Sequence, residues 1–120
     1  MGWTVKFCEE FEPEFEILPE KVQDELLAKA GLLEECGPML KRPNVDTLNN
    51  SQHANMKELR FKEADRVWRV AFAFDTQRQA ILLVAGDKSG LSEKLFYREL
   101  VKKADKRFDA YLNRIQQEEA

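Results

Sequence analysis

RVWRVAFAFDTQRQAILLVAGD, residues 66–87, is the stretch that decides the fold of this 120-residue chain. It contains two runs rich in β-branched, aromatic and other apolar residues, at 66–75 and 79–87, and each run predicts a strand. The link between them, TQR, is short, so the two strands are expected to form an antiparallel hairpin. The second run is almost entirely apolar, which is typical of a central strand.

Two further strands are predicted before this hairpin. WTVKFC (residues 3–8) alternates, with its apolar side chains on one face, and MKELRF (residues 56–61) alternates as well. The polar stretch from 43 to 55 is rich in turn-forming residues and predicts an exposed loop.

Helices are predicted before and after the three later strands in the sequence. EEFEPEFEI (residues 9–17) favours a short helical turn, and a longer helix is expected from Pro19 to about Glu35. The glycine and proline of CGP (36–38) end that helix. A final helix is expected to begin near Ser92. The apolar stripe of the longer helix is Val22, Leu26, Ala30 and Leu33, and the inner face of the final helix is Tyr97, Leu100, Val101, Ala104, Phe108, Tyr111, Leu112 and Ile115.

These elements predict a single α+β domain over residues 1–120. Its small, mainly antiparallel sheet is expected to have helices on one face, in the order β-α-α-β-β-β-α. No run is long and apolar enough to span a membrane, and the first residues lack the pattern of a secretory signal. We therefore expect a cytoplasmic protein, in which Cys8 and Cys36 are free thiols.

The charge is divided unevenly along the chain. The formal net charge is −3, but residues 1–55 carry −6 and residues 56–120 carry +3. This asymmetry permits a local basic face on an acidic protein.

Several common chemistries are excluded by the motifs. GDKSG (86–90) is similar to part of a phosphate-binding P-loop, but the glycine and lysine spacing of that loop is absent. His53 is the only histidine, and it lies in the polar loop. No metal-ligand spacing is found, so neither a metal ion nor another cofactor is expected. Pairs of catalytic imidazoles are impossible with one histidine, and His53 is expected to be a solvated or hydrogen-bonding loop residue.

Strand alternation predicts a cluster of basic residues instead. In the strand at 66–75, the apolar set (Trp68, Val70, Phe72, Phe74) is expected to pack on the helices, which leaves Arg69 on the opposite, open face. Lys88 follows the last strand. One or both of Lys57 and Arg60, and an aromatic ring from Phe96 or Tyr97, are expected at the rim of the same hollow.

Each of these residues also has a plain structural interpretation. Arg69 could form an ion pair with an acid such as Asp87, and Lys88 and Lys94 could be solvated turn residues. Only one of Phe96 and Tyr97 can face the hollow, because the other must pack in the core. The basic run KKADKR (102–107) fits an outer helical face.

The same segments, in order, resemble a known family. MKELRF, WRVAFAF, LLVAGDKSG, KLFYREL and ADKRFDAYL are similar to segments of the RelE/ParE superfamily of toxins from type II toxin–antitoxin systems, and most similar to its phage-derived, HigB-like branch. The resemblance covers residues 3 to about 115. It implies the RelE-like fold, a small sheet flanked by helices.

The resemblance also implies an activity. Members of the family are metal-independent endonucleases that cut messenger RNA on the ribosome and are inhibited by a cognate antitoxin, which in this branch is a HigA-like helix-turn-helix protein. By position, the implied catalytic set is Arg69, Lys88, Lys57, Arg60 and Tyr97. The wider RNA-binding set is Arg66, Lys94, Phe96 and Arg98.

Two other functions are compatible with the same scaffold. The superfamily includes toxins that bind DNA gyrase without cutting RNA, and a phage-derived remnant could be an inactive interaction module. The overall acidity and the single lysine after the last strand depart from the strongly basic members of the family.

Overall fold

The computed structural model describes residues 2–119, which form one sheet and three α-helices. The strands are Thr4–Phe7 (β1), Val45–Thr47 (β2), Met56–Glu63 (β3), Arg66–Phe74 (β4) and Gln79–Asp87 (β5). The helices are Phe11–Glu16 (α1), Glu20–Cys36 (α2) and Glu93–Glu119 (α3), with a 3-10 turn at Gly37–Met39. No helix within 2–119 is both long enough and apolar enough to cross a bilayer.

The sheet has the strand order β1-β5-β4-β3-β2. β1 runs parallel to β5, and the other three pairs are antiparallel. The β4–β5 hairpin is confirmed, and its turn is closed by the Asp75 carboxylate, which accepts hydrogen bonds from the backbone N–H groups of Gln77 and Gln79. The α+β class and the mainly antiparallel sheet are confirmed. The predicted loop contains one additional strand, β2, which pairs with Lys57–Leu59. This pairing uses backbone hydrogen bonds, which polar side chains do not prevent.

Helices cover both faces of the sheet, whereas helices on one face were expected. Phe7 packs against the rings of Phe11 and Phe15 in α1. Its neighbour Lys6 lies over the ring of Tyr111 in α3. Because consecutive strand residues point to opposite faces, α1 and α3 lie on opposite sides of the sheet. The physical reason is that β5 is apolar on both faces, so each face needs a cover.

The predicted apolar stripes form most of the core. All four stripe residues of α2 are buried. On α3 the predicted inner face is buried at its centre, with Tyr97 and Ile115 partly buried. Leu112 differs from the prediction, since 38% of it is exposed. It lies at the edge of the stripe.

Two local features set the ends of the helices. Ser92 accepts a hydrogen bond from the Leu95 N–H through its hydroxyl, which caps the start of α3. Gly37 ends α2 with a positive φ of 55°. A Cβ at that position would lie 2.3 Å from the indole nitrogen of Trp3, so only glycine fits.

Candidate nucleic-acid interface

Arg69 lies in the middle of β4, on the face that α3 covers. Its Nε donates a hydrogen bond of 2.7 Å to the hydroxyl oxygen of Tyr97, and Nη1 donates to the Val67 carbonyl at 3.4 Å. Its guanidinium carbon is 5.3 Å from the ring centroid of Phe96 and 5.4 Å from that of Tyr97. Only 5% of Arg69 is exposed. The expectation of an open sheet face around Arg69 is therefore wrong, because the first two turns of α3 lie over it.

Glu58 completes a chain of hydrogen bonds with these groups. The Tyr97 hydroxyl donates to Glu58 Oε1 at 2.7 Å, and Glu58 is itself only 5% exposed. Within 2–119 no ion pair joins Glu58 directly to Arg69, whose recorded carboxylate neighbour is Glu93 at 4.0 Å. We call these three residues the Glu58–Tyr97–Arg69 network. The Tyr97 phenol lies between the buried Glu58 carboxylate and the buried Arg69 guanidinium.

Burial changes the acidity of this network. Removal from water raises the pKa of Glu58, while the hydrogen bond from Tyr97 and the positive charges of Arg60 and Arg69 oppose that rise. Burial, together with the nearby Glu58 carboxylate, raises the pKa of Tyr97 to about 12. Tyr97 is therefore protonated near neutral pH, and it holds its proton toward Glu58.

Arg69 forms part of the wall of a cleft at one end of the sheet, which we call the Lys88 cleft. This cleft has a volume of about 370 Å³. Arg66 lies across it and forms an ion pair of 2.9 Å with Asp87. The lining residues are Asp65, Arg66, Val67, Arg69, Asp87, Lys88, Ser89, Gly90 and Leu91.

Tyr97 lines a second cleft of about 560 Å³, which we call the Tyr97 cleft. It lies between α3 and the loop that precedes β3. The buried Asp105 carboxylate fixes that loop by accepting hydrogen bonds from the Ser51 hydroxyl and the Gln52 backbone N–H. The lining residues are Asn49, Asn50, Gln52, Lys94, Tyr97, Arg98, Val101, Lys102 and Asp105. The hydrogen bond between Tyr97 and Arg69 thus connects the two clefts.

Comparison with known proteins identifies the family. Residues 13–109 match the family described as "Phage derived protein Gp49-like". The chain belongs to this family. It is 41% identical over 113 residues to "Putative toxin HigB2" of Mycobacterium tuberculosis (strain ATCC 25618 / H37Rv), covering 93% of this chain and 55% of that protein. It is 49% identical over 81 residues to "Putative toxin HigB3" of the same strain, covering 68% of each. The Gp49-like chain therefore spans about half the length of HigB2.

The fold is shared with a solved toxin structure. It is a mutant of E. coli toxin RelE, in the free state, with two arginines replaced by alanine. The TM-score is 0.57 at 16% sequence identity, and the alignment covers 86% of this chain and 97% of that one. Together with the family match, this confirms the resemblance to the HigB-like branch of the RelE/ParE superfamily.

The structure of this Gp49-like protein brings most of the predicted site residues together. Arg69, Arg66 and Lys88 line one cleft, and Tyr97, Lys94 and Arg98 line the other. Arg60 pairs with Arg69 in the β3–β4 register and lies on the same face as Glu58. The alternative interpretation, an ion pair between Arg69 and Asp87, is not observed, since Asp87 pairs with Arg66 instead.

Two predicted residues lie elsewhere. Lys57 points to the face opposite Glu58, because β3 alternates regularly there, and it lines a separate depression beside Pro38 and Phe74. Phe96 is 6% exposed and packs in the core, with a ring atom 3.2 Å from the position of a Cβ on Gly86. Tyr97 is therefore the aromatic residue that faces a cleft, and Phe96 has no open ring face on which a base could stack.

Sequence reasoning missed Glu58 as a site residue. Its signal was present, since alternation in MKELRF places Glu58 and Arg60 on one side of the strand. What the pattern did not show is that α3 would close over that side and bring Tyr97 into contact with Glu58. An acid two residues from Arg60 on a strand that precedes the Arg69 strand is the feature that could have identified it.

Proposed function

We propose that this Gp49-like protein is the toxin of a toxin–antitoxin pair and a metal-independent endonuclease that cuts messenger RNA on the ribosome. Its relatives HigB2 and HigB3 are named as toxins, and its fold is that of toxin RelE. The single observation that carries the endonuclease proposal is the Glu58–Tyr97–Arg69 network. It places a guanidinium and a phenol between two clefts with basic residues in their walls.

In this proposal the scissile phosphate binds in the Lys88 cleft. Tyr97 accepts from Arg69 Nε and the Val67 carbonyl accepts from Nη1, so Arg69 offers its remaining Nη N–H groups to the phosphate. A guanidinium can pair with two phosphate oxygens. Lys88 adds positive charge from the exposed wall of the cleft, where Arg66 is paired with Asp87. Fixed positive groups stabilise the negative charge that develops on the phosphate oxygens when the neighbouring 2′-hydroxyl attacks phosphorus. Lys88 lies on the glycine-flanked turn after β5, where its ammonium can give a proton to the departing 5′-oxygen.

The Tyr97 cleft is proposed to hold an unpaired nucleotide. Its wall combines the Tyr97 ring with the amide side chains of Asn49, Asn50 and Gln52, while Lys94 and Arg98 lie on the α3 side. Aromatic rings stack on unpaired bases, and amides can donate to and accept from base edges. A messenger strand that passes from one cleft to the other would cross the Glu58–Tyr97–Arg69 network.

The proposed partners follow from the same activity. They are messenger RNA on the ribosome and a cognate antitoxin of the helix-turn-helix type, and the proposed location is the cytoplasm, where translation occurs. Lys57 is not included in the proposed cleavage site, because it points to the other face of the sheet.

The test is controlled expression in a bacterial host, with growth recorded and transcript 5′ ends mapped shortly after induction. The wild-type protein should arrest growth and produce new 5′ ends within coding regions. Arg69→Ala and Arg69→Lys should abolish both, since the first removes the charge and the second removes the planar fork. Urea unfolding of each purified variant shows whether the fold is retained.

Arg114→Ala is the matched control. Arg114 also lies on the α3 side of the molecule and forms ion pairs with Glu9 and Glu10, but it lines neither cleft. It should arrest growth as the wild type does. Growth arrest with DNA damage and intact transcripts would indicate a gyrase-binding toxin instead. Absence of any arrest would indicate an interaction module.

A further inference from the structure

We infer that Glu58 is the terminal proton acceptor of RNA cleavage and receives the proton of the attacking 2′-hydroxyl through Tyr97. This inference rests on the proposed function and assigns the base of that reaction. The residue types of the site suit such a transfer, because the Glu58 carboxylate accepts a hydrogen bond from the Tyr97 phenol, which lines a cleft.

The Tyr97 hydroxyl oxygen can accept one more hydrogen bond. The Tyr97 oxygen donates its proton to Glu58 Oε1 and accepts the Arg69 Nε–H, each at 2.7 Å. A phenol oxygen has one proton and can accept through its remaining lone-pair density. A hydroxyl in the Tyr97 cleft can therefore donate to the same oxygen. Glu58 itself is nearly sealed from solvent, so its route to a substrate proton is through Tyr97.

The proton balance of the step is complete. The 2′-oxygen forms a bond to phosphorus and gives its proton to the Tyr97 oxygen, while the Tyr97 proton passes to Glu58. The bond from phosphorus to the 5′-oxygen breaks, and that oxygen leaves with the electron pair and takes a proton from Lys88. The products are a 2′,3′-cyclic phosphate and a free 5′-hydroxyl. Tyr97 is neutral before and after the step, and Arg69 stays charged throughout.

A purely structural role for Glu58 explains the arrangement less well. A counter-ion for the buried Arg69 would be expected to contact the guanidinium directly, whereas Tyr97 separates the two. The charged groups that influence Glu58 are Arg69 from β4, Arg60 from β3 and Asp46 from β2, and Tyr97 reaches it from α3. Of these, only Tyr97 forms a hydrogen bond with the Glu58 side chain.

The acidities agree with a relay. With a pKa of about 12, Tyr97 is almost never a phenolate at neutral pH, so it serves poorly as a base by itself. The pKa of Glu58 is raised by burial toward the working range, which is where a general base is most effective. A concerted transfer through Tyr97 avoids forming the phenolate.

The experiment measures single-turnover cleavage of messenger RNA bound to purified ribosomes, at several pH values. The wild-type rate should rise with pH along an acid limb that reports Glu58. Glu58→Gln should cleave at least about 100-fold more slowly and lack that limb, as expected when a general base is removed. Glu58→Asp should keep the limb at a reduced rate, because its carboxylate is set back by one methylene. Tyr97→Phe should be as slow as Glu58→Gln.

Tyr111→Phe is the matched control. Tyr111 also lies on α3, donates through its hydroxyl to a carboxylate, that of Asp75 at 2.9 Å, and has a pKa raised to about 12. Its replacement removes an equivalent phenol–carboxylate bond outside both clefts, so cleavage should stay within about 2-fold of wild type. A message with a 2′-deoxy sugar at the cut site cannot be cleaved, so it measures binding alone. The Glu58→Gln protein should bind ribosomes programmed with this message with the same affinity as the wild type.

The failures are distinguishable. If the wild type cuts no RNA, the proposed function fails and the relay fails with it. If the wild type cuts RNA and Glu58→Gln keeps both the rate and the acid limb, only the relay is overturned. A slow Glu58→Gln protein that retains the limb, or that loses binding to the same degree as cleavage, would assign Glu58 a structural role and also overturn it.

Discussion

The attachment of the loop before β3 to α3 depends on one carboxylate, and its removal should have a large effect on stability. Asp105 is 8% exposed and accepts hydrogen bonds from the Ser51 hydroxyl and from the Gln52 backbone N–H at 2.9 Å. Asp105→Ala removes both acceptors and leaves a backbone donor without its partner. The loop forms one wall of the Tyr97 cleft, so this contact also shapes the proposed nucleotide site.

The magnitude follows from the number and kind of bonds lost. A hydrogen bond to a charged group contributes about 1.5–3 kcal/mol. The two donors lie in a part-buried loop that water can reach after the substitution, so the low end applies to each, and the free energy of unfolding should fall by about 3 kcal/mol. With an m value of about 1.5 kcal/mol/M in urea, the unfolding midpoint should fall by about 2 M. Ser51→Ala removes the shared bond to Asp105, which should contribute about 1.5 kcal/mol, and also the bond that Ser51 Oγ accepts from the His53 backbone N–H, which should contribute about 1 kcal/mol more.

Two comparisons make the measurement decisive. Asp109→Ala removes the neighbouring contact on the same helix, between Asp109 and His53 Nε2, but the Asp109 side chain is 52% exposed. Its loss should lower the unfolding free energy by less than about 1 kcal/mol. In the double variant of Ser51 and Asp105, the two effects should overlap by about 1.5 kcal/mol, since they share one bond. An Asp105→Ala midpoint no lower than that of Asp109→Ala would show that the loop is held by other contacts.

Three further predictions concern the fold and its dependence on pH. Gly37→Ala should lower the unfolding free energy by more than about 2 kcal/mol, because its positive φ and the adjacent indole exclude a Cβ. The control is Gly31→Ala, in open space on α2, which should not destabilise the protein. Urea unfolding at pH 7 compares the two variants, and equal losses would contradict the prediction. The hydrogen bond from Arg107 holds the pKa of Glu14 below its ordinary value, so this pair stabilises the fold above the unfolded pKa and the contribution is lost as the pH falls through the folded value. Arg107→Gln should flatten that acid dependence in unfolding midpoints measured from pH 3 to 7. Glu58 has the opposite sign, since its raised pKa favours folding at low pH and this contribution is lost as the pH rises through the folded value. Glu58→Gln should remove that loss, and a Glu58→Gln protein whose unfolding midpoints depend on pH as those of the wild type do would contradict the prediction.

The fold was predictable because the sequence signals are local and agree with one another. The β4–β5 hairpin follows from two apolar runs and a short link, and α2 follows from a proline start, a stripe of four apolar residues and a glycine end. β2 was not predictable in the same way. Its three residues contribute backbone hydrogen bonds to β3, and backbone pairing leaves little trace in polar side chains.

The site was only partly predictable, since it depends on how the elements pack together. Alternation within a strand correctly placed Arg60 and Glu58 on one side of β3. It could not show that α3 would cross that side. This crossing buries Arg69 and Phe96, and it leaves Tyr97 as the aromatic residue at the cleft. The sequence resemblance included Lys57 in the site, but the strand register turns its side chain to the other face.

The distribution of charge along the chain bears on the proposal that an acidic protein binds RNA. Helices α1 and α2 carry eight acidic and two basic side chains, whereas α3 carries six acidic and seven basic ones. Helix α1 lies on the opposite face of the sheet from α3, and basic residues outnumber acidic ones in the wall of each cleft. Arg66, Arg69 and Lys88 stand against Asp65 and Asp87 in the Lys88 cleft, and Lys94, Arg98 and Lys102 stand against Asp105 in the Tyr97 cleft. Phosphate groups respond chiefly to charges within about 10 Å at physiological salt, so the net charge of the whole chain has little influence on the clefts. An acidic total is therefore compatible with a locally basic site, and it would also reduce nonspecific association with nucleic acid away from that site.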